Sequence, residues 1–245
     1  MLTQRLKNKS NAASSWAQWF DRCAKHYADP RMKMAYYKDG LSGKPISQKT
    51  MTAIYQDVWD KLCAGKNSTM LDDGGGVGMF SQAFDKWIYK IIGTDISSAM
   101  IKDAYRLNPN GTFLVCDAAT LPFYSNSFDR ILCYSVFHYL NNLAHVKTVL
   151  NEFVRVIKKD GLILVGDILT DTPGQMAKKN SKNNIPASVW WPSTLNHSLR
   201  KLAIDPHFFI DYCQAKGCRG DILPQRIPGK TTAASRYDVV IRFSS

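Results

Sequence analysis

Two acidic residues run directly into glycines at Asp72-Asp73-Gly74-Gly75-Gly76, with Gly78 close behind. The short apolar stretch Met70-Leu71 leads into them, so a strand that ends on acid is followed by a tight turn into a helix. Glycines at such a turn let the backbone approach a ligand closely. About 20 residues further on, the β-prone run from Ile88 to Gly93 leads to Asp95, where a carboxylate can take the two hydroxyls of a ribose. That pair of signals points to a nucleoside ligand. The dinucleotide fingerprint G-x-G-x-x-G does not fit, because the chain reads Gly74-x-Gly76-x-Gly78 and has Met79 where the last glycine is required. An acid at Asp72 also suits a cationic amino group better than a phosphate.

Three further segments extend the pattern. Asp117-Ala118-Ala119-Thr120-Leu121-Pro122-Phe123 precedes Ser127-Phe128-Asp129; Cys133-Tyr134-Ser135-Val136-Phe137-His138-Tyr139 follows; Glu152 to Gly161 closes the series. In order and spacing these segments, with the glycine loop, resemble the class I S-adenosylmethionine-dependent methyltransferases, in their small-molecule (methyltransferase type 11-like) branch, over roughly residues 55 to 170. The resemblance implies S-adenosyl-L-methionine as cofactor. By the same resemblance Asp72 would accept from the methionine ammonium, Gly74 and Gly76 would allow close backbone approach, and Asp95 with Ile96 would hold the ribose. Asp117 would accept from the adenine amino group, and the Ala118 amide would meet the ring. Tyr134 completes the cofactor-binding set. Asp73 departs from the family pattern, which has an apolar residue there.

Methyl transfer from a sulfonium needs mainly alignment of acceptor, methyl and sulfur, with a base only where the acceptor keeps its proton. His138 is the expected base. It follows the fourth strand, where carboxyl ends of strands face the ligand crevice, and imidazole accepts protons near neutral pH. Tyr36, Tyr37, Trp190, Trp191 and His207 are acceptor-pocket expectations because their segments are irregular and aromatic; core packing is the competing reading of each. No metal site is expected.

The elements that must position these groups alternate. Strands are expected at 68–73, 88–94, 112–116, 128–134 and 161–167, and helices at 77–86, 97–107 and 142–157. Alternation of this kind implies a parallel sheet. Upstream, Trp16, Trp19, Phe20, Cys23 and Tyr27 form an amphipathic stripe over 14–27. A second stripe through Met51, Ile54, Tyr55, Val58, Trp59 and Leu62 predicts a helix over 47–64, with Ser47 as N-cap and Gly65 as stop. Between the stripes, 35–43 reads as a mobile loop. Downstream come a polar insertion or lid at about 170–206, a helix over 205–217 and a final alternating strand at Tyr237–Phe243. The fold class expected is α/β: a doubly wound, Rossmann-like, mostly parallel seven-stranded sheet with a helical cap over 1–66, and a cofactor-binding domain over 67–245.

The chain has 245 residues and a formal net charge of +12. Ten basic residues face three acidic ones in 1–50 (+7), eleven face twelve in 51–170 (−1), and eleven face five in 171–245 (+6). The excess therefore sits on the flanks that can overhang an acceptor. An anionic or carrier-bound small molecule is one reading; a solvated basic surface is the other. No run approaches the 18 or so apolar residues of a membrane span, and the first thirty residues lack a signal-peptide core. The six cysteines hold no C-x-x-C pair. Together these give the expectation of a reduced, cytoplasmic protein. Two other functions stay open: an RNA or protein methyltransferase using the basic flanks, and a domain that binds cofactor or partner without catalysis. Against nucleic acid, the N/D-P-P-Y/F/W sequence of enzymes that act on base amino groups is absent.

Overall fold

The computed structural model describes residues 16–21, 28–38, 43–170 and 201–243. The helical stretch 16–21 (α1) comes first, within the expected 14–27 stripe. Helix α2 spans Gln48–Leu62 and begins as the sequence implies, with the Ser47 side chain accepting from the Thr50 amide. A cap of this kind is worth about 1 kcal/mol. Its end differs from expectation: Cys63, in the left-handed conformation, caps it two residues before Gly65.

Seven strands follow in the chain: β1 Thr69–Asp73, β2 Lys90–Asp95, β3 Thr112–Val115, β4 Phe128–Tyr134, β5 Ile157–Leu169, β6 Cys218–Pro224 and β7 Arg236–Phe243. Between them lie α3 Met79–Phe84, α4 Ser98–Leu107, α5 Leu143–Val156 and α6 Pro206–Lys216. The sheet order is β3-β2-β1-β4-β5-β7-β6. β1 to β5 pair in parallel, and β7 inserts antiparallel between β5 and β6. The doubly wound expectation holds. β6 is an edge strand that the polar sequence Cys218-Arg-Gly-Asp221 did not announce.

Strand alternation divides the core between the two faces of the sheet. Met70 and Leu132 pack with Ile54, Val58, Leu62 and Phe80 of α2 and α3. Leu71, Ile131 and Cys133 pack with Val149, Leu150 and Phe153 of α5, and with Phe209 of α6. Parallel strands covered on both faces read as near-continuous apolar runs, which is why β1, β4 and β5 are legible in the sequence.

The expected mobile loop at 35–43 is corrected in part. Ala35–Tyr37 is a 3₁₀ turn, Tyr36 is buried against Phe80 and Tyr134, and Lys38 pairs with Pro45 in an isolated bridge. Most of the expected lid, with Trp190 and Trp191, lies outside the described residues. Where the chain resumes, the Leu202 amide donates to the His138 carbonyl and the Ile204 amide to that of Leu169. Residues 201–204 therefore run across the tips of β4 and β5. Cys63, Cys116, Cys133, Cys213 and Cys218 are all free thiols. No described helix is long and apolar enough to cross a membrane.

Candidate active site

The chain order reverses between β1 and β4, the point at which open α/β sheets form their ligand crevice beyond the carboxyl ends of the strands. A cleft of about 860 Å³, open mouth included, lies there.

Its floor is the glycine loop. Gly74 and Gly76 have φ of +67° and +58°, in the left-handed region where a side chain is strained. A Cβ on Gly74 would stand 2.3 Å from Val136 Cγ2, and one on Gly76 would stand 2.4 Å from Met34 Sδ. At Gly74 glycine is thus demanded by conformation and by space, and at Gly76 by conformation, since the end of the Met34 side chain can move aside. The Asp95 carboxylate secures the loop from β2: Oδ2 accepts the Gly76 amide at 3.0 Å and Oδ1 accepts the Ser97 amide at 2.8 Å. Ser97, not Asp95, caps α4 by accepting from Met100. Burial pushes the Asp95 carboxyl up to about 6.

Gly74, Gly76, Asp95, Ile96, Asp117, Ala118 and Tyr134 all line this one cleft, as expected, and so does Tyr36. Asp117 commits Oδ1 to the Ala119 amide in a local turn. Asp72 is a correction: it points to the α3 face, accepts the Ser81 hydroxyl at 2.7 Å, and braces the loop from below. Asp73, on the opposite face of the strand, is the β1 carboxyl that reaches the cleft.

His138 is a second correction. It is fully buried, is not part of the cleft wall, and its Nδ1 faces an Arg236 guanidinium nitrogen at 3.4 Å while Nε2 has no hydrogen-bond partner among the described residues. Burial, with Lys201 and Arg236 adding to it, holds the imidazole well below its usual range and so neutral. His207 is a third. It sits on the exposed first turn of α6, bonded to Asp205 through amide and ring. Tyr37 lies outside the wall, with the Arg31 guanidinium 5.5 Å from its ring centroid.

Part of the cleft lining is aromatic. Tyr139 packs against Trp16 and Phe20 of α1, with ring centroids 4.7 and 5.2 Å apart. α1 is anchored to α4 because Asp21 Oδ1 accepts from the Ser97 hydroxyl at 2.5 Å and the Ala99 amide at 3.2 Å. The cap thereby becomes a wall of the site. Lys33 also lines the cleft, and its ammonium is taken by Asp103 of α4.

Sequence reasoning missed the polar group behind Tyr134. The Lys230 ammonium donates to Asp167 Oδ1 at 2.6 Å, Gln225 Oε1 at 2.7 Å and the Tyr134 hydroxyl at 3.0 Å. Asp167 Oδ2 in turn accepts from Ser135, which lines the cleft. Ser135 and Asp167 have φ of +63° and +59° at the tips of adjacent strands, the kind of backbone strain that gathers at functional sites. The Asp167 carboxyl, though buried, is held far below the usual carboxylate range by Arg236 and Lys230. It is a fixed negative charge. No sequence signal marks this group, because its members lie in four segments that only the sheet brings together.

Comparison with known proteins agrees with the geometry. The family model described as "Methyltransferase domain" matches residues 71–165. A ubiquinone/menaquinone biosynthesis C-methyltransferase of Bordetella parapertussis is 31% identical over 156 residues, covering 56% of this chain and 57% of its own length. A demethylmenaquinone methyltransferase of Renibacterium salmoninarum is 31% identical over 117 residues, 48% of each chain. The chain thus spans about half the length of the curated relatives it matches. Phosphoethanolamine N-methyltransferase 1 of Haemonchus contortus, solved with phosphoethanolamine and S-adenosylhomocysteine, has the same fold, with a TM-score of 0.71 at 15% identity over 94% of this chain and 48% of that one. The matched stretch, residues 71–165, starts at the glycine cradle and includes Asp95 on the next strand, and over it this chain is similar to methyltransferase domains.

Proposed function

We propose that this chain transfers a methyl group from S-adenosylmethionine to oxygen or nitrogen of a small, flat acceptor. The observation that carries the proposal is that a single cleft is lined by two sets of groups: the glycine cradle that a Cβ would fill, with Asp95 and Asp117, and the aromatic rings of Trp16, Phe20, Tyr36 and Tyr139. The first set fits a nucleoside that carries a charged amino acid. The second fits a planar apolar group.

When bound, S-adenosylmethionine supplies an electrophilic methyl. The residues of this chain supply position. Gly74 and Gly76 let the backbone close on the ligand, Asp95 offers its remaining lone pairs to ribose hydroxyls, and the aromatic wall excludes water and aligns the acceptor. Ser135, Asn141 and His145 are polar residues of the lining, and because the Ser135 hydroxyl donates its proton to Asp167, its oxygen is left as an acceptor for an O–H or N–H. The basic flanks favour an acceptor that bears an anionic group or a carrier.

A second reading, transfer to a ring carbon, is supported by the quinone-biosynthesis names of the curated relatives and by the same aromatic wall. Calorimetry tests the shared part. S-adenosylmethionine and S-adenosylhomocysteine are expected to bind the wild type, and Asp95→Ala should lose about 1 to 3 kcal/mol of that binding through its charge-assisted hydrogen bonds. A folded wild-type protein that binds neither ligand would overturn the proposal. Incubation with methyl-labelled cofactor and a metabolite pool, read by mass spectrometry, then separates label on O or N from label on carbon.

A further inference from the structure

Asp73 ends β1 on the face that carries Leu71, and its side chain closes the floor of the cleft between β2 and β4. Oδ1 accepts the Thr94 hydroxyl at 2.7 Å. Oδ2 has the Cys133 thiol, at 3.9 Å, as its polar neighbour among the described contacts. The carboxyl is therefore buried, holds a hydroxyl donor on one oxygen and a weak thiol donor on the other, and lines a ligand cavity.

Every neighbouring element adds a titratable group: Asp72 from β1, Asp95 at the end of β2, Cys116 and Asp117 beyond β3, and Cys133 from β4. Across the cleft, His145 of α5 and Lys33 complete the lining, and Lys33 is already neutralised by Asp103. Asp73 and Asp95 thus both line a low-dielectric cleft, where the negative charge of one raises the proton affinity of the other. Burial above all, opposed by the Thr94 hydroxyl and reinforced by Asp95, Asp72 and Asp117, pushes the Asp73 carboxyl up to about 7. At that value it exchanges its proton near neutral pH.

We propose that Asp73 makes the cleft charge-selective, giving up its proton when a cation enters and so favouring the sulfonium cofactor over the uncharged thioether product. This rests on the reading of the cleft as the S-adenosylmethionine site. On binding, the Asp73 O–H bond breaks and the proton passes to solvent. Methyl transfer then turns sulfonium into thioether and removes one positive charge. Asp73 takes a proton back from solvent, and the hold on the product weakens. The device favours product exchange without a contact to the acceptor.

The test is calorimetry of S-adenosylmethionine and S-adenosylhomocysteine against wild type and Asp73→Asn at pH 6, 7 and 8, in two buffers of different ionisation enthalpy. Asparagine keeps the bond from Thr94, and a melting curve checks the fold. In the wild type, the preference for S-adenosylmethionine should grow about 5-fold or more from pH 6 to 8, a coupling of ordinary size. Proton release should accompany S-adenosylmethionine and not its product. Asp73→Asn should show a smaller preference that does not change with pH. Proton counting on the wild type needs no variant, so a misfolded Asp73→Asn leaves the proposal testable. Equal proton release with both ligands, or an Asp73→Asn protein with the wild-type preference and pH profile, overturns the proposal. Failure of the wild type to bind either ligand overturns the proposed function and this inference with it.

Discussion

The same carboxyl makes a prediction about the unliganded protein. Asp73 is held at about 7 in the folded chain against an ordinary value of 3.8, so the native state binds its proton more tightly than the unfolded state does. Stability from this group is complete below about pH 4 and is lost as pH rises through 7. Each tenfold difference in proton affinity is worth about 1.4 kcal/mol, so the loss relative to low pH is about 1.7 kcal/mol at pH 5 and about 4 kcal/mol at pH 8. Asp73→Asn removes the titration and keeps the shape. Its stability relative to wild type should therefore improve by about 2 to 3 kcal/mol between pH 5 and pH 8, whatever fixed cost the amide carries. Urea titrations of both proteins at pH 5, 6, 7 and 8 measure this, and a slope of about 2 kcal/mol per molar converts it to a relative midpoint change of about 1 M. Asp72 and Asp95, each at about 6, bend both curves, so the comparison reads Asp73 together with its coupling to them. Parallel curves for the two proteins across this range would refute the reasoning.

Two further substitutions probe the cradle and the buried network. Gly74→Ala forces a side chain into a left-handed conformation at about 1 to 2 kcal/mol and drives it against Val136; calorimetry should show cofactor affinity falling at least about 10-fold in a folded protein, and wild-type affinity would deny the cradle its role. Lys230→Met strips Asp167 of its 2.6 Å partner and leaves the Arg236 Nε at 3.7 Å. Breaking a buried pair from one side costs about 3 to 5 kcal/mol, so urea unfolding should register a large loss, and a cost under about 1 kcal/mol would mean that Arg236 alone neutralises the carboxylate.

What the sequence disclosed follows from how each element is held. β1, β2 and β4 lie within two residues of expectation because strands buried on both faces must be apolar along their length. α2, α4, α5 and α6 start where side-chain caps mark them, at Ser47, Ser97, Asn142 and Asp205. β6 was missed because an edge strand needs no apolar run, and Cys218-Arg-Gly-Asp221 joins the sheet only through the backbone of β7. The glycine loop, Asp95 and Asp117 of the cleft were legible because a glycine turn and a strand-end acid are local features, and Tyr36 was among the expected lining residues. Trp16, Tyr139, Ser135 and Asp167 were not expected there, because they meet only once the cap packs and the strands align.

The misplaced acid and the misplaced base share a cause in rotation about the chain. In β1, one residue of register separates the floor of the cleft from the α3 face, and both positions are acidic, so composition could not choose between Asp72 and Asp73. Ser81 decides it by taking Asp72. After β4 the chain enters a 3₁₀ turn at Phe137–Tyr139, where side chains three apart eclipse one another. Val136 and Tyr139 accordingly share the cleft side, and Phe137 takes the α5 side against Phe153 and Phe209. The third direction falls to His138, toward Arg236 on β7. A histidine one position later would have faced the acceptor. In this chain that position is Tyr139, whose ring instead joins Trp16 and Phe20, so the structure provides shape and exclusion of water at the point where the sequence suggested a base.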